Sequence, residues 1–270
     1  MRKLLSASAM LMVLALVAGC PPPTSRQGQG LVTLAKQQFD QQQYAQATQT
    51  LTGFLEKESR SGLAGEAYYL RGLCYRQMGP AREGEAERDL QEAVKMSREA
   101  SVRGLANVAL GHLCYETRPG HLEQAVGYYE AALKDLSKEP PLDAVLLRLG
   151  ASLQRLGRWS EADPYLSRCY DEFPESSFAR YARERFGART WRLQFGAFSE
   201  MSRATRVAEQ VRSAGMTADV QPVRQEGKVL YAVRSGSYGT HGQAEGAAGP
   251  ARAVAADVTI VATPPGPPGN

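Results

Sequence analysis

Histidine, cysteine and tryptophan are scarce in this chain of 270 residues, with 3, 4 and 2 copies. His112, His121 and His241 are scattered, and Cys20, Cys74, Cys114 and Cys169 form no Cys-x-x-Cys, so no ligand spacing for a metal emerges. Cys74, Cys114 and Cys169 can form at most one disulfide, too few for a framework. All three fall at core-facing places in a helical pattern, where cysteine serves as a small hydrophobe. Charge of one sign is also missing. The net charge of +4 supplies no basic bias of the kind that nucleic acid demands. Long apolar runs are absent except at the start, where residues 4–18 span about fifteen positions, short of the roughly twenty that cross a membrane as a helix. No cofactor is called for. What remains is a 43% apolar, globular composition in a chain long enough for two cores.

The apolar run follows Arg2 and Lys3, the charged start of a signal peptide. It ends in Val17-Ala18-Gly19-Cys20, which resembles the lipobox of bacterial lipoproteins, and Pro21-Pro22-Pro23-Thr24-Ser25 follows as a stiff polar stem. The resemblance implies removal of residues 1–19 and acylation of Cys20. Two or more acyl chains make such anchoring stable, where one gives marginal binding. Pro21 in place of Asp resembles the outer-membrane class of Gram-negative sorting. The expected address is the cell envelope, lipid-anchored at the outer membrane and facing the periplasm. Residues 20–30, rich in Pro, Gln, Gly and Ser, read as a tether.

From residue 31 to about 187 the pattern is helical and repeats. A small residue recurs at Ala35, Gly72, Gly111 and Gly150, and each is followed by an alanine, at Ala47, Ala86, Ala125 and Ala162. Small residues on facing helices let two backbones approach while larger ones fill the gaps. Units two and three carry two extra residues between their helices, beside Gly79-Pro80 and Pro119-Gly120. The last unit, Leu149-Gly150, Leu153, Gly157, Trp159, Ala162, Leu166 and Pro174, resembles a tetratricopeptide repeat. The family implies a solenoid of about four repeats with a groove for a protein or peptide partner. Tyr44, Tyr75, Tyr115 and Trp159 are expected to fill the solenoid core.

Near residue 188 the period changes to two: Thr190-Trp191-Arg192-Leu193-Gln194-Phe195 alternates polar and bulky apolar side chains. Ser199 is placed to cap a helix whose apolar stripe runs Met201, Ala204, Val207, Ala208, Val211 and Ala214, with Gly215 as its stop. Strands follow over 218–224 and 228–234, joined by Gln225-Glu226-Gly227. Thr240 and Gln243 form a capping box for a second helix that Gly246, Gly249 and Pro250 weaken. A strand over 258–262 ends the domain, and 264–270 is a tail. The order β-α-β-β-α-β predicts a four-stranded antiparallel sheet with both helices on one face. The fold class is thus multidomain, an all-α solenoid followed by an α+β domain over 188–263.

Leu193-Gln194-Phe195-Gly196-Ala197-Phe198 and Tyr231-Ala232-Val233-Arg234-Ser235-Gly236-Ser237-Tyr238 resemble the two signatures of the SPOR domain. That family implies binding of peptidoglycan, with preference for glycan strands stripped of stem peptides, as arise at division septa. Alternation places Trp191, Leu193, Phe195, Val229, Tyr231 and Val233 against the helices. Arg192, Gln194, Leu230, Ala232 and Arg234 then face outward. Gln194 both donates and accepts hydrogen bonds, and arginine pairs with the carboxylates of the sugar chain. The family's binding surface carries over to Gln194, Ala197, Leu230 and Arg234, with Arg192 beside them. Leu230 stands where some members hold a stacking aromatic. Tyr238 has two open readings, a ring contact or a core residue at a strand end. A wall-lytic enzyme needs an acid beside a nucleophile or base, and no segment is left to hold that pair, so no catalytic residue is assigned. An RNA-recognition sheet shares the topology but exposes strand aromatics, which this one does not. A fourth reading gives the main role to the repeats, as a scaffold for envelope assembly.

Overall fold

The computed structural model describes residues 23–117, 120–225 and 227–264, so the leader, Cys20 and the tail beyond Pro264 lie outside the described residues. Helices pair in sequence: α1 (Arg26–Asp40) with α2 (Tyr44–Glu58), α3 (Ala64–Gln77) with α4 (Glu83–Met96), α5 (Ala100–Thr117) with α6 (Leu122–Asp135), and α7 (Leu142–Arg155) with α8 (Trp159–Glu172). A shorter helix, α9 (Ser177–Arg185), closes the stack against α7 and α8. Helix α1 begins five residues inside the expected tether, because the Ser25 hydroxyl accepts the Gly28 N–H and caps it there.

The recurring small residues explain the pairing. A Cβ on Gly72 would lie 2.9 Å from Leu90 Cγ, on Gly111 2.6 Å from Tyr129 Cε1, and on Gly150 2.7 Å from Leu166 Cδ2. Leu90, Tyr129 and Leu166 each stand one turn after the repeat alanine, and all three are buried. The glycine therefore receives a large side chain of the second helix, and the alanine admits its backbone. The first insertion is a 3-10 turn, Pro80–Arg82, entered through Gly79 at φ 101°. The second includes Gly120 at φ 93°, while Arg118 and Pro119 lie outside the described residues. Cys74, Cys114 and Cys169 are all buried, and burial pushes the thiols of Cys74 and Cys169 up to about 11.

The C-terminal domain runs β1 (Thr190–Phe198), α10 (Met201–Ser213), β2 (Asp219–Gln225), β3 (Lys228–Tyr238), α11 (His241–Ala251) and β4 (Thr259–Thr263). The sheet is antiparallel throughout, in the order β2-β3-β1-β4. Trp191, Leu193 and Phe195 pack with Ala204, Ala208 and Val211 of α10 and with Ala244, Ala248 and Ala251 of α11. Five alanines and one valine at those six places let both helices lie close on one face of the sheet. The Thr240–Gln243 capping box is formed, and α11 continues through Gly246, Gly249 and Pro250 to Ala251. Two expectations are corrected. Glu200, not Ser199, precedes α10, and it makes no side-chain cap. Val229 is 50% exposed rather than packed, because it lies beside the hairpin turn, beyond the reach of the inner cluster.

Trp159 is also corrected: it fills no solenoid gap. Its ring sits 5.4 Å from that of Trp191, and its indole N–H donates to Gly239 O at 3.2 Å. In return the Trp191 indole donates to Gln154 O at 3.0 Å. Gln154, fully buried, donates to Arg185 O at 2.8 Å and accepts from the Arg185 guanidinium at 3.1 Å. His241 completes the joint, edge-on to Trp191 at 4.8 Å. One apolar cluster therefore crosses from the last repeat into the sheet domain. The other three aromatics are half-buried, Tyr44 edge-on to Phe39, Tyr75 beneath Arg82, and Tyr115 beneath both Arg148 and Arg155.

Candidate functional site

Both helices of the C-terminal domain cover one face of its sheet, which leaves the other face open. Two irregularities set what that face presents. Between the pairs Gln194↔Arg234 and Gly196↔Val233 the register shifts, and Phe195 is the extra residue of β1. Gly196 takes φ 137° there, and a Cβ on it would meet the Phe198 ring at 2.6 Å. Between Trp191↔Tyr238 and Leu193↔Ser235 the extra length is in β3, at Gly236 and Ser237, where Gly236 adopts φ 70°.

Gln194 and Arg234 stand opposite one another on the two central strands. Arg234 Nε donates to Gln194 Oε1 at 3.1 Å, and its Nη1 to Gln221 Oε1 at 3.4 Å. Arg234 Nη2 and Gln194 Nε2 have no partner among the described residues. Burial first, then the neighbouring Arg192, push the Arg234 pKa down, against Asp219, which raises it. A guanidinium that is half-buried, repelled by a second arginine and short of a carboxylate of its own is suited to an anionic or hydroxyl-rich ligand.

Arg192 behaves differently. It reaches across β3, donating from Nε to Gly236 O at 2.8 Å and from Nη1 to Asp219 Oδ2 at 2.9 Å. Asp219 also accepts from Gln221 Nε2 at 3.2 Å. Arg192 is thus tied into the sheet, where it holds Asp219 and, through it, Gln221. Ala197 pairs with the buried Ala232 and leaves the surface low beside Gln194. Leu230 is half-buried opposite Val223. Tyr238 lies with the inner cluster, against the helices rather than on the open face.

Gln194, Ala197 and Arg234 line a cleft of about 870 Å³ together with Gln221, Val223 and Val261 of the flanking strands. Sequence reasoning passed over Asp219, Gln221 and Val223, yet their alternation along β2 was readable, since they pair with Arg234, Ala232 and Leu230. It also passed over Tyr181 and Glu184 of α9, which line the same cleft. No local pattern could have found those two, because they belong to the helical region.

The repeats carry a second set of charges. Glu116 of α5 accepts from Arg76 of α3 at 3.1 Å and lies 3.7 Å from Arg148 of α7. Burial, then Arg76, lowers His112 on the same helix to about 4, with Glu116 opposing and Arg148 adding. Among the described residues, no group of three His, Cys, Asp or Glu could hold a metal ion, and no helix is long and apolar enough to cross a membrane.

Comparison with known families places a SPOR domain at residues 187–257 and a tetratricopeptide repeat at residues 144–176. The first span runs from before β1 to beyond α11, and the second covers α7 and α8. Comparison with curated proteins gives no match. A SPOR domain implies peptidoglycan binding and a tetratricopeptide repeat implies protein interaction; both are non-catalytic binding domains.

Proposed function

We propose that this chain is a non-enzymatic, lipid-anchored envelope protein that grips peptidoglycan with its SPOR domain and a protein partner with its repeats, in cell division or wall organisation. The preferred wall ligand is glycan stripped of stem peptides. The observation that carries the reading is the Gln194–Arg234 pair on the open face of a sheet whose first three strands fall within the SPOR match. Unmatched donors of both side chains face a cleft large enough for sugar residues. Acetamido groups and lactyl carboxylates offer the acceptors that these donors lack. The lipobox-like Val17-Ala18-Gly19-Cys20 supports acylation at Cys20 and an outer-membrane address facing the periplasm.

The test is co-sedimentation of the full chain with sacculi treated with an amidase that removes stem peptides. Binding is expected to exceed that to untreated sacculi, and the Gln194→Ala, Arg234→Ala double variant is expected to lose most of it. Equal failure on both kinds of sacculi would sink the assignment. The charged row Arg76–Glu116–Arg148 supports a second reading, in which the repeats lead and the protein scaffolds envelope assembly. A fluorescent fusion separates the two: a septal band favours division, and a uniform outline favours the scaffold.

A further inference from the structure

Sugar rings bind proteins by laying an apolar face on an aromatic ring as well as through hydrogen bonds. Among the described residues, no such ring stands on the open face of this sheet where one is wanted. Leu230 occupies the outward place on β3, and Tyr231 and Tyr238 pack with the inner cluster. An aromatic nonetheless lines the cleft, and it comes from outside the domain. Tyr181 of α9 shares the cleft with Gln194 and Arg234. It is 46% exposed, unusually open for a tyrosine in a helix that packs on its neighbours.

Two features make Tyr181 more than a surface residue. The Arg180 guanidinium lies 5.0 Å from its ring centroid, and Arg180 Nη2 donates to its hydroxyl at 3.2 Å, so the ring is held in place. Helix α9 is itself fixed to the sheet domain. Arg185 at its end is bonded to Gln154, whose backbone carbonyl accepts the Trp191 indole. Arg189 then pairs with Asp163 of α8 at 2.6 Å, so the connection into β1 is fastened as well. A ring already positioned for its ligand loses little freedom on binding.

We propose that Tyr181 supplies the stacking platform of the cleft, so that the site for a pyranose ring is shared between the helical region and the sheet. The proposal rests on the glycan-binding reading above and extends it to a residue beyond the SPOR match. Sugars seated on Gln194 and Arg234 would extend along the cleft toward α9, and the full chain would bind glycan more tightly than a sheet domain alone.

The probe is glycan strands released from amidase-treated sacculi, titrated against the full chain. Tyr181→Ala is expected to weaken binding about 5- to 10-fold, in the upper part of the roughly 2- to 12-fold range of one aromatic contact. Tyr181→Phe, which keeps the ring, is expected to bind within about twofold of the parent. The thermal midpoint of Tyr181→Ala should stay with the parent, since a merely structural residue would lower it. If Tyr181→Ala binds like the parent while Gln194→Ala and Arg234→Ala weaken binding, the shared site is wrong and the glycan reading stands. If the parent binds no glycan, the glycan reading falls and the shared site falls with it.

Discussion

Replacing Trp159 by alanine tests whether the last repeat and the sheet domain fold as one unit. The residue is 8% exposed, stacks at a tilt on Trp191 and donates to Gly239 O. Trp→Ala at a packed site costs about 3–5 kcal/mol, and a paired aromatic contributes about 0.5–1.5 kcal/mol of that beyond its area. A chain of this size loses roughly 2–4 °C of midpoint per kcal/mol, so a drop of roughly 10 °C is expected for the sheet domain. The chain offers a convenient probe. Its 2 tryptophans are both in the joint, so indole fluorescence reports the joint while far-UV circular dichroism reports mainly helix. In urea the parent should show coincident transitions by both probes. In Trp159→Ala the emission of Trp191 should shift to the red at lower urea than the loss of helix. Coincident transitions at an unchanged midpoint in the variant, or separate ones in the parent, would refute a shared core.

Gly111→Ala drives a Cβ to 2.6 Å from the buried Tyr129 ring, and overpacking of this kind costs about 1–3 kcal/mol, more than the roughly 1 kcal/mol gained in helix propensity. Gly127→Ala in the partner helix meets nothing within 4 Å, so the same substitution should stabilise there; urea midpoints decide both. Acidification should destabilise the repeats through His112. Its pKa is about 4 folded, chiefly from burial, against about 6.5 unfolded, so the unfolded chain takes up the proton first and stability is lost as pH falls from about 6.5 to 4. The loss amounts to about 3 kcal/mol, and it should shrink in His112→Gln when unfolding is compared at pH 7.5 and 4.5. Cys20→Ser should move the protein from the membrane pellet to the soluble periplasmic fraction; retention in the pellet would remove the lipid anchor from the reading.

What could be read from sequence was whatever is periodic. The alternation of Trp191, Leu193 and Phe195 against Arg192 and Gln194 settled both the strand and its buried face, because one face meets helices and the other does not. The repeat glycines could likewise be read, although their true neighbours, Leu90, Tyr129 and Leu166, emerge only when helices are packed. Trp159 misled because an aromatic at the start of a second repeat helix has an ordinary local use. Its partners Trp191 and Gly239 lie 32 and 80 positions away in another domain. Arg192 was expected to serve a ligand, yet a long side chain on a narrow sheet also reaches neighbouring strands, and Asp219 was close enough to hold it. Tyr181 could not be found at all, since its meaning depends on how two domains dock.

The joint also decides where force would go. If one end of the chain is fixed in a lipid layer and the other on a glycan, every drift of membrane from wall becomes a pull along the polypeptide. That pull passes through α9 into the first residue of β1, a strand bonded on both sides, to β3 and to β4. Tension along β1 loads its two ladders in shear, many hydrogen bonds at once, whereas a strand entered at the sheet's edge would peel one bond at a time. The Trp159–Trp191 contact and the Arg189–Asp163 pair bridge the entry to that strand, so tension would open the joint, and draw Tyr181 away from the sheet's share of the cleft, before the ladders of β1 gave way.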